Sequence, residues 1–180
     1  MVRQHILHLT RSHEISKETE ILLLGTFNPD TPGNTADFFY GRPRNFMWTL
    51  LPGVFGEASL KHSPISEKRN FMQRYKIDFI DLISEVVVDE ATNYEDQYLD
   101  SKEIKWRDVQ AEIAKLPQLK MVCFTRKSFS GIPKMRRQVE AIQDYCMQKG
   151  IAFHMLSTPS RFYSSQKETE WKSVLNPEIT

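Results

Sequence analysis

The 180-residue chain has only two cysteines, seven glycines, no long apolar run and a net charge of +1. Each shortage excludes something. Two cysteines cannot build a disulfide framework or hold an iron–sulfur cluster by cysteine alone. Cys123 stands in the apolar run Met121-Val122-Cys123-Phe124 and Cys146 on a helical face, so both read as small core hydrophobes suited to a reducing compartment. Met1 to Thr10 alternate histidine, leucine and charge without a stretch long enough for a signal peptide or a membrane span, which leads us to expect a soluble, intracellular, cytoplasmic protein with no membrane partner. The sequence shows no Gly-rich phosphate loop, no nucleophile elbow and no metal-ligand spacing, so neither metal nor cofactor is expected. It also lacks internal repeats and low-complexity tracts.

With 24 Lys and Arg against 23 Asp and Glu, a uniformly basic surface is excluded, but a local basic patch is not. Arg42 with Arg44, Lys68 with Arg69, Arg126 with Lys127, and Lys134 with Arg136 and Arg137 are the candidates. The ordinary reading of each is a solvated face.

At 40% hydrophobic, the chain can build one sizeable core, so a single domain over residues 1–180 is expected. Four short apolar runs, Ile21 to Leu24, Ile77 to Leu82, Leu119 to Thr125 and Ile151 to Ser157, read as strands covered on both faces of a parallel sheet. Between the last two, Pro133 opens a helix with Met135, Val139, Ile142 and Cys146 on one face, and Gly150 follows its end. A second helix is expected from Asp100, as cap with Glu103, through Ile104, Val109, Ile113 and Leu116 to Pro117. Shorter helices are expected at 45–51, 66–75 and 167–175, and Val86 to Leu99 reads as an exposed acidic loop. His154 reads as a core histidine. The pattern is α/β: a three-layer α/β/α arrangement around a central four-stranded parallel sheet. Ligands of such sheets sit beyond the carboxyl ends of the strands, where Asn28, Asp81, Arg126 and Ser157 to Ser160 all fall.

The most informative segment joins the strand end Gly25-Thr26-Phe27-Asn28-Pro29 to the cluster Phe38-Phe39-Tyr40-Gly41-Arg42-Pro43-Arg44-Asn45-Phe46-Met47-Trp48. Rings, arginines and an amide close together suit a planar base beside a phosphate. An asparagine amide carries both a donor and an acceptor for the edge of such a base. Two plainer roles compete: Asn28 can simply start the turn before Pro29, and Asn45 can simply cap the next helix. Phe46 and Trp48 are assigned to the core, since a short helix there needs an apolar face.

These segments resemble motifs of the uracil-DNA glycosylase superfamily, nearest its mismatch-specific and hypoxanthine-DNA glycosylase branches. In those branches a Gly-x-Asn-Pro or Gly-Ser-Phe-Pro turn precedes a Tyr-x-x-Pro-Arg-Asn-x-Phe-Trp segment. Ile77-Asp78-Phe79-Ile80-Asp81-Leu82-Ile83 is similar to the family's second strand, and Leu156-Ser157-Thr158-Pro159-Ser160 to its Ser- and Pro-rich second motif. Two departures stand out. One extra residue separates Gly25 from Asn28, so either Phe27 or Asn28 can take the place of the polar catalytic residue, and Ser157 to Arg161 lacks the His-Pro-Ser form.

The resemblance implies a monomeric repair enzyme that flips a deaminated base out of DNA and hydrolyses its glycosidic bond without metal or cofactor. Its DNA partner would be a damaged or mismatched duplex, with single strands left open. Asn28 and Asn45 then position water and base, Gly25, Thr26 and Phe27 line the base site, and Phe39 or Tyr40 stacks. Asp30 and Asp37 are the nearby acids open to substitution in the water-orienting role. Arg42, Arg44, Arg126, Lys127, Ser157, Thr158, Ser160 and Arg161 hold the strand, with Arg161 and Phe162 placed to wedge into the gap left by the base. The alternative is a binding module for nucleic acid or nucleotide on the same fold, without catalysis.

Overall fold

The computed structural model describes residues 3–90 and 92–177. In chain order the elements are β1 (Gln4–Leu7), β2 (Ile21–Gly25), α1 (Met47–Val54), α2 (Ile65–Tyr75), β3 (Ile77–Asp81), β4 (Ile83–Val88), α3 (Asp96–Asp100), β5 (Glu103–Trp106), α4 (Val109–Ile113), β6 (Met121–Phe124), α5 (Pro133–Gln148), β7 (Ala152–Met155) and α6 (Ser165–Leu175). The four apolar runs form the expected parallel sheet, in the order β3-β2-β6-β7. Strand β2 lies between two neighbours, which is why Leu22, Leu23 and Leu24 can be consecutive and all fully buried.

Alternation along the strands divides the core in two. Leu22, Leu24, Val122 and Phe124 pack with Met135, Val139, Ile142 and Cys146 of α5 on one face of the sheet. Leu23, Phe79 and Cys123 pack with Met47, Trp48, Phe71 and Trp171 from α1, α2 and α6 on the other. Burial pushes the Cys123 thiol up to about 12 and the Cys146 thiol up to about 11, so both stay protonated core groups. Among the described residues no helix is long and apolar enough to cross a membrane.

A second sheet, antiparallel in the order β1-β4-β5, overturns two sequence expectations. The helix expected from Asp100 to Leu116 is broken into the end of α3, strand β5 and the short α4. Ile104 pairs with Val86 and Trp106 with Ile83, and these cross-strand contacts outweigh the helical spacing. The cap of α4 is Asp108, whose carboxylate accepts from Ala111 N at 2.9 Å. The loop expected over Val86 to Leu99 is also wrong at both ends, since Val86 and Val88 lie in β4 and Leu99 is fully buried in α3. The partner of β4 is β1, His5 opposite Val87, a strand hidden in the alternation of the first ten residues.

Two smaller corrections concern the edges of the fold. His154 is half-buried, because among the described residues β7 is an edge strand with exposed ends that pairs with β6 alone. Trp48 is core as expected, whereas Phe46 is half-buried with Lys61 Nζ 3.9 Å above its ring.

Asp100 does cap a helix, but that helix is α5. Its buried carboxylate accepts from Lys134 N at 3.0 Å and Met135 N at 2.6 Å, satisfying two donors that Ile132, in the cap position, leaves unmet. Asp100→Ala should lower stability by about 1–2 kcal/mol, read as a shift in urea midpoint with an unchanged slope.

Candidate active site

Strands β2, β3 and β6 and the turn after β7 end along one side of the sheet, and there they border a cleft of about 890 Å³. Gly25, Thr26, Asp81, Phe124 and Thr125 come from the strand ends. The remaining walls are loops stitched together by backbone bonds. Phe46 N donates to Pro159 O and Arg161 N to Arg44 O, both at 2.9 Å, so the 44–46 and 159–161 segments pair as a short antiparallel patch. From the other side, Leu9 N donates to Asn28 O at 2.7 Å and Asp30 N to Leu7 O at 2.8 Å, which fastens the Asn28-Pro29 turn to the end of β1.

Of the residues expected from sequence, Phe39 does not line this cleft. It is 3% exposed, stacked on Phe79 at 5.3 Å and edge-on to His13 at 5.0 Å, because the aromatic run turns inward to fill the core. Tyr40 does line it, and its backbone is left-handed at φ 54°. That conformation costs a tyrosine on the order of 1–3 kcal/mol and swings the ring away from its neighbour's pocket. The Tyr40 hydroxyl is hydrogen-bonded to Thr125 Oγ1 at 3.1 Å, and Thr125 Oγ1 in turn lies 3.3 Å from Leu24 O. Burial, and next the charge of Asp81, push the phenol well above its ordinary range.

Asn28, Asn45, Phe27, Ser157, Thr158 and Ser160 also line the cleft. Both asparagine amides are engaged. Asn28 Nδ2 donates to Phe38 O at 3.4 Å, while its Oδ1 accepts from Asn34 Nδ2 at 2.8 Å. Asn45 Oδ1 accepts from Met47 N at 2.9 Å, and its Nδ2 donates to Ser160 Oγ at 3.3 Å, so it starts α1 and ties the two loops together. Thr158 Oγ1 accepts from Ser160 N at 3.2 Å, whereas the buried Ser157 hydroxyl has no partner among the described residues.

The basic residues divide into two groups. Arg126 pairs with Asp96, and Lys127 with Glu170 at 3.0 Å, so both cations at the β6 end are already neutralised. Arg42 lies 5.9 Å over the Tyr94 ring, and burial lowers its guanidinium pKa against the opposing pull of Tyr94, Asp81 and Asp96. Arg44 and Arg161 line the cleft, are exposed, and form no ion pair among the described residues. Arg161 is left-handed at φ 77°, and beyond it Phe162 and Tyr163 are 57% and 43% exposed. The clusters Lys68-Arg69 and Lys134 to Arg137 sit on α2 and α5 and do not border the cleft.

Sequence reasoning missed a pair. Asp81 ends β3 inside the cleft, and its Oδ2 lies 2.5 Å from Nε2 of the fully buried His8. The Thr10 backbone N–H donates to His8 Nδ1 at 3.1 Å, which places the imidazole proton on Nε2, pointing at the carboxylate. An acid that ends a strand buried along its whole length was the available signal, since such a group requires a partner. Asp30, by contrast, pairs with Arg11 outside the cleft, and Asp37 is exposed. Among the described residues no cluster of three or more His, Cys, Asp or Glu is arranged to hold a metal ion.

No family model and no curated protein matches the chain. Among solved structures, a proposed uracil DNA glycosylase from Methanosarcina acetivorans, determined by solution NMR, is similar at a TM-score of 0.65 and 22% identity. The match covers 92% of this chain and 94% of that one, and at this identity what it establishes is the α/β fold.

Proposed function

We propose that the chain is a single-domain, monomeric DNA glycosylase of the uracil-DNA glycosylase superfamily that hydrolyses the N-glycosidic bond of a deaminated base, uracil or hypoxanthine, including one mispaired with guanine. The observation that carries this reading is the convergence of three segments far apart in sequence, Gly25 to Asn28, Tyr40 to Asn45 and Ser157 to Arg161, on one cleft at the carboxyl edge of the sheet. The fold shared with the Methanosarcina protein supports it. In this reading the base is flipped into the cleft against Tyr40, Arg44 and Arg161 meet phosphates, and Phe162 enters the stack that the base has left.

The engagement of both asparagine amides favours a second reading, a binding module without catalysis. Labelled duplexes carrying uracil, hypoxanthine or thymine opposite guanine, incubated with excess protein and then treated with alkali, separate the two. Strand breaks at the modified base are expected. Salt-sensitive binding without breaks would support the module, and neither breaks nor binding would remove DNA from the picture.

A further inference from the structure

We propose that the hydrolytic group of this cleft is the Asp81 carboxylate rather than Asn28, with His8 as its positioning residue; this rests on the glycosylase reading. Hydrolysis needs an acceptor that can orient a water and offset the positive charge developing on the sugar. The two asparagines have both amide ends committed to protein partners. Of the other acids bordering the cleft, Asp96 is held by Arg126, and Glu95 is exposed to solvent.

Asp81 differs from all of these. His8 Nε2–H fixes Oδ2, whereas Oδ1 has no partner among the described residues. Oδ1 comes close over Gly25, 2.1 Å from where a side-chain carbon on that residue would stand, and the same point is 2.7 Å from the Tyr40 hydroxyl oxygen. The hydrogen-bond partner of the Tyr40 hydroxyl is Thr125 Oγ1, at 3.1 Å. One carboxylate oxygen is therefore locked from behind while the other is left open beside the tyrosine that borders the cleft. This arrangement holds an acceptor in place before substrate arrives.

In the step, the bond from the anomeric carbon to the base nitrogen breaks and its electron pair leaves with the base. A water oxygen bonds to the anomeric carbon and gives one proton to Asp81 Oδ1. The released base takes up a proton from solvent, to which Asp81 returns its own, so that one water is added overall.

Single-turnover excision from uracil and hypoxanthine duplexes tests this, together with binding of a duplex whose uracil nucleotide is made uncleavable by fluorine on the sugar. Asp81→Asn should slow excision by about 100-fold or more while binding stays within about threefold of wild type. A folded Asp81→Asn that cuts at near the wild-type rate overturns the proposal and leaves the glycosylase reading standing; a wild-type protein that excises neither base overturns both. If the asparagine variant does not fold, His8→Gln decides. Loosening Oδ2 should cost about tenfold in rate with unchanged binding, and wild-type kinetics there would overturn the proposal.

Discussion

Gly25→Ala is expected to slow base excision at least about 100-fold and to destabilise the fold by about 1–3 kcal/mol. The demand at this position is for space. A β-carbon would stand 2.1 Å from Asp81 Oδ1 and 2.7 Å from the Tyr40 hydroxyl oxygen. Neither atom is the free end of a flexible chain, since His8 holds the carboxylate and Thr125 the phenol. The methyl must therefore displace both groups from the cleft, and shifts of this size disable reactions that depend on orientation. Gly33→Ala is the control, because a β-carbon there meets nothing within 4 Å and should leave both quantities unchanged. Urea unfolding and single-turnover excision on the same samples check the result.

Phe79→Ala should cost about 3–5 kcal/mol, the largest loss of stability expected from any change near the cleft. Phe79 is 1% exposed at the middle of β3 and touches three rings, Phe39 at 5.3 Å, Tyr40 at 5.5 Å and Trp48 at 5.5 Å. Removing it opens a cavity among these rings and takes away the surface that Tyr40 packs on in its left-handed conformation. Urea midpoint is the measure. In native buffer, weakened binding of an uncleavable uracil duplex should accompany the loss of stability.

The central sheet was legible because β2 and β6 are unbroken apolar runs and β3 and β7 nearly so, and α5 because Pro133 and Gly150 bracket a clean periodic face. The second sheet was not legible. Val109, Ile113 and Leu116 do share a helical spacing, but Ile104 stands outside it in β5, and only the pairing of β5 with β4, remote in sequence, decides that. The lining of the cleft was legible apart from Phe39, from Gly25 to Arg161, because loops after parallel strands gather at one edge. Phe39 and Tyr40 could not be told apart, since a single left-handed residue decides which ring turns inward. The bond from Asn45 Oδ1 to Met47 N fits the capping role its place before a helix offered, whereas the tie from Asn45 to Ser160 and the union of His8 with Asp81 join residues 115 and 73 positions apart, and no local pattern announces them.

The most direct measurement of the central claim is the free base released from a duplex containing one uracil or hypoxanthine, quantified by mass spectrometry under single-turnover conditions with excess protein. The predicted result is free base in equal amount to new abasic sites, released at least about 100-fold more slowly by Gly25→Ala and Asp81→Asn. Duplex that is bound yet releases neither base would contradict it, and the cleft would then be a binding site alone.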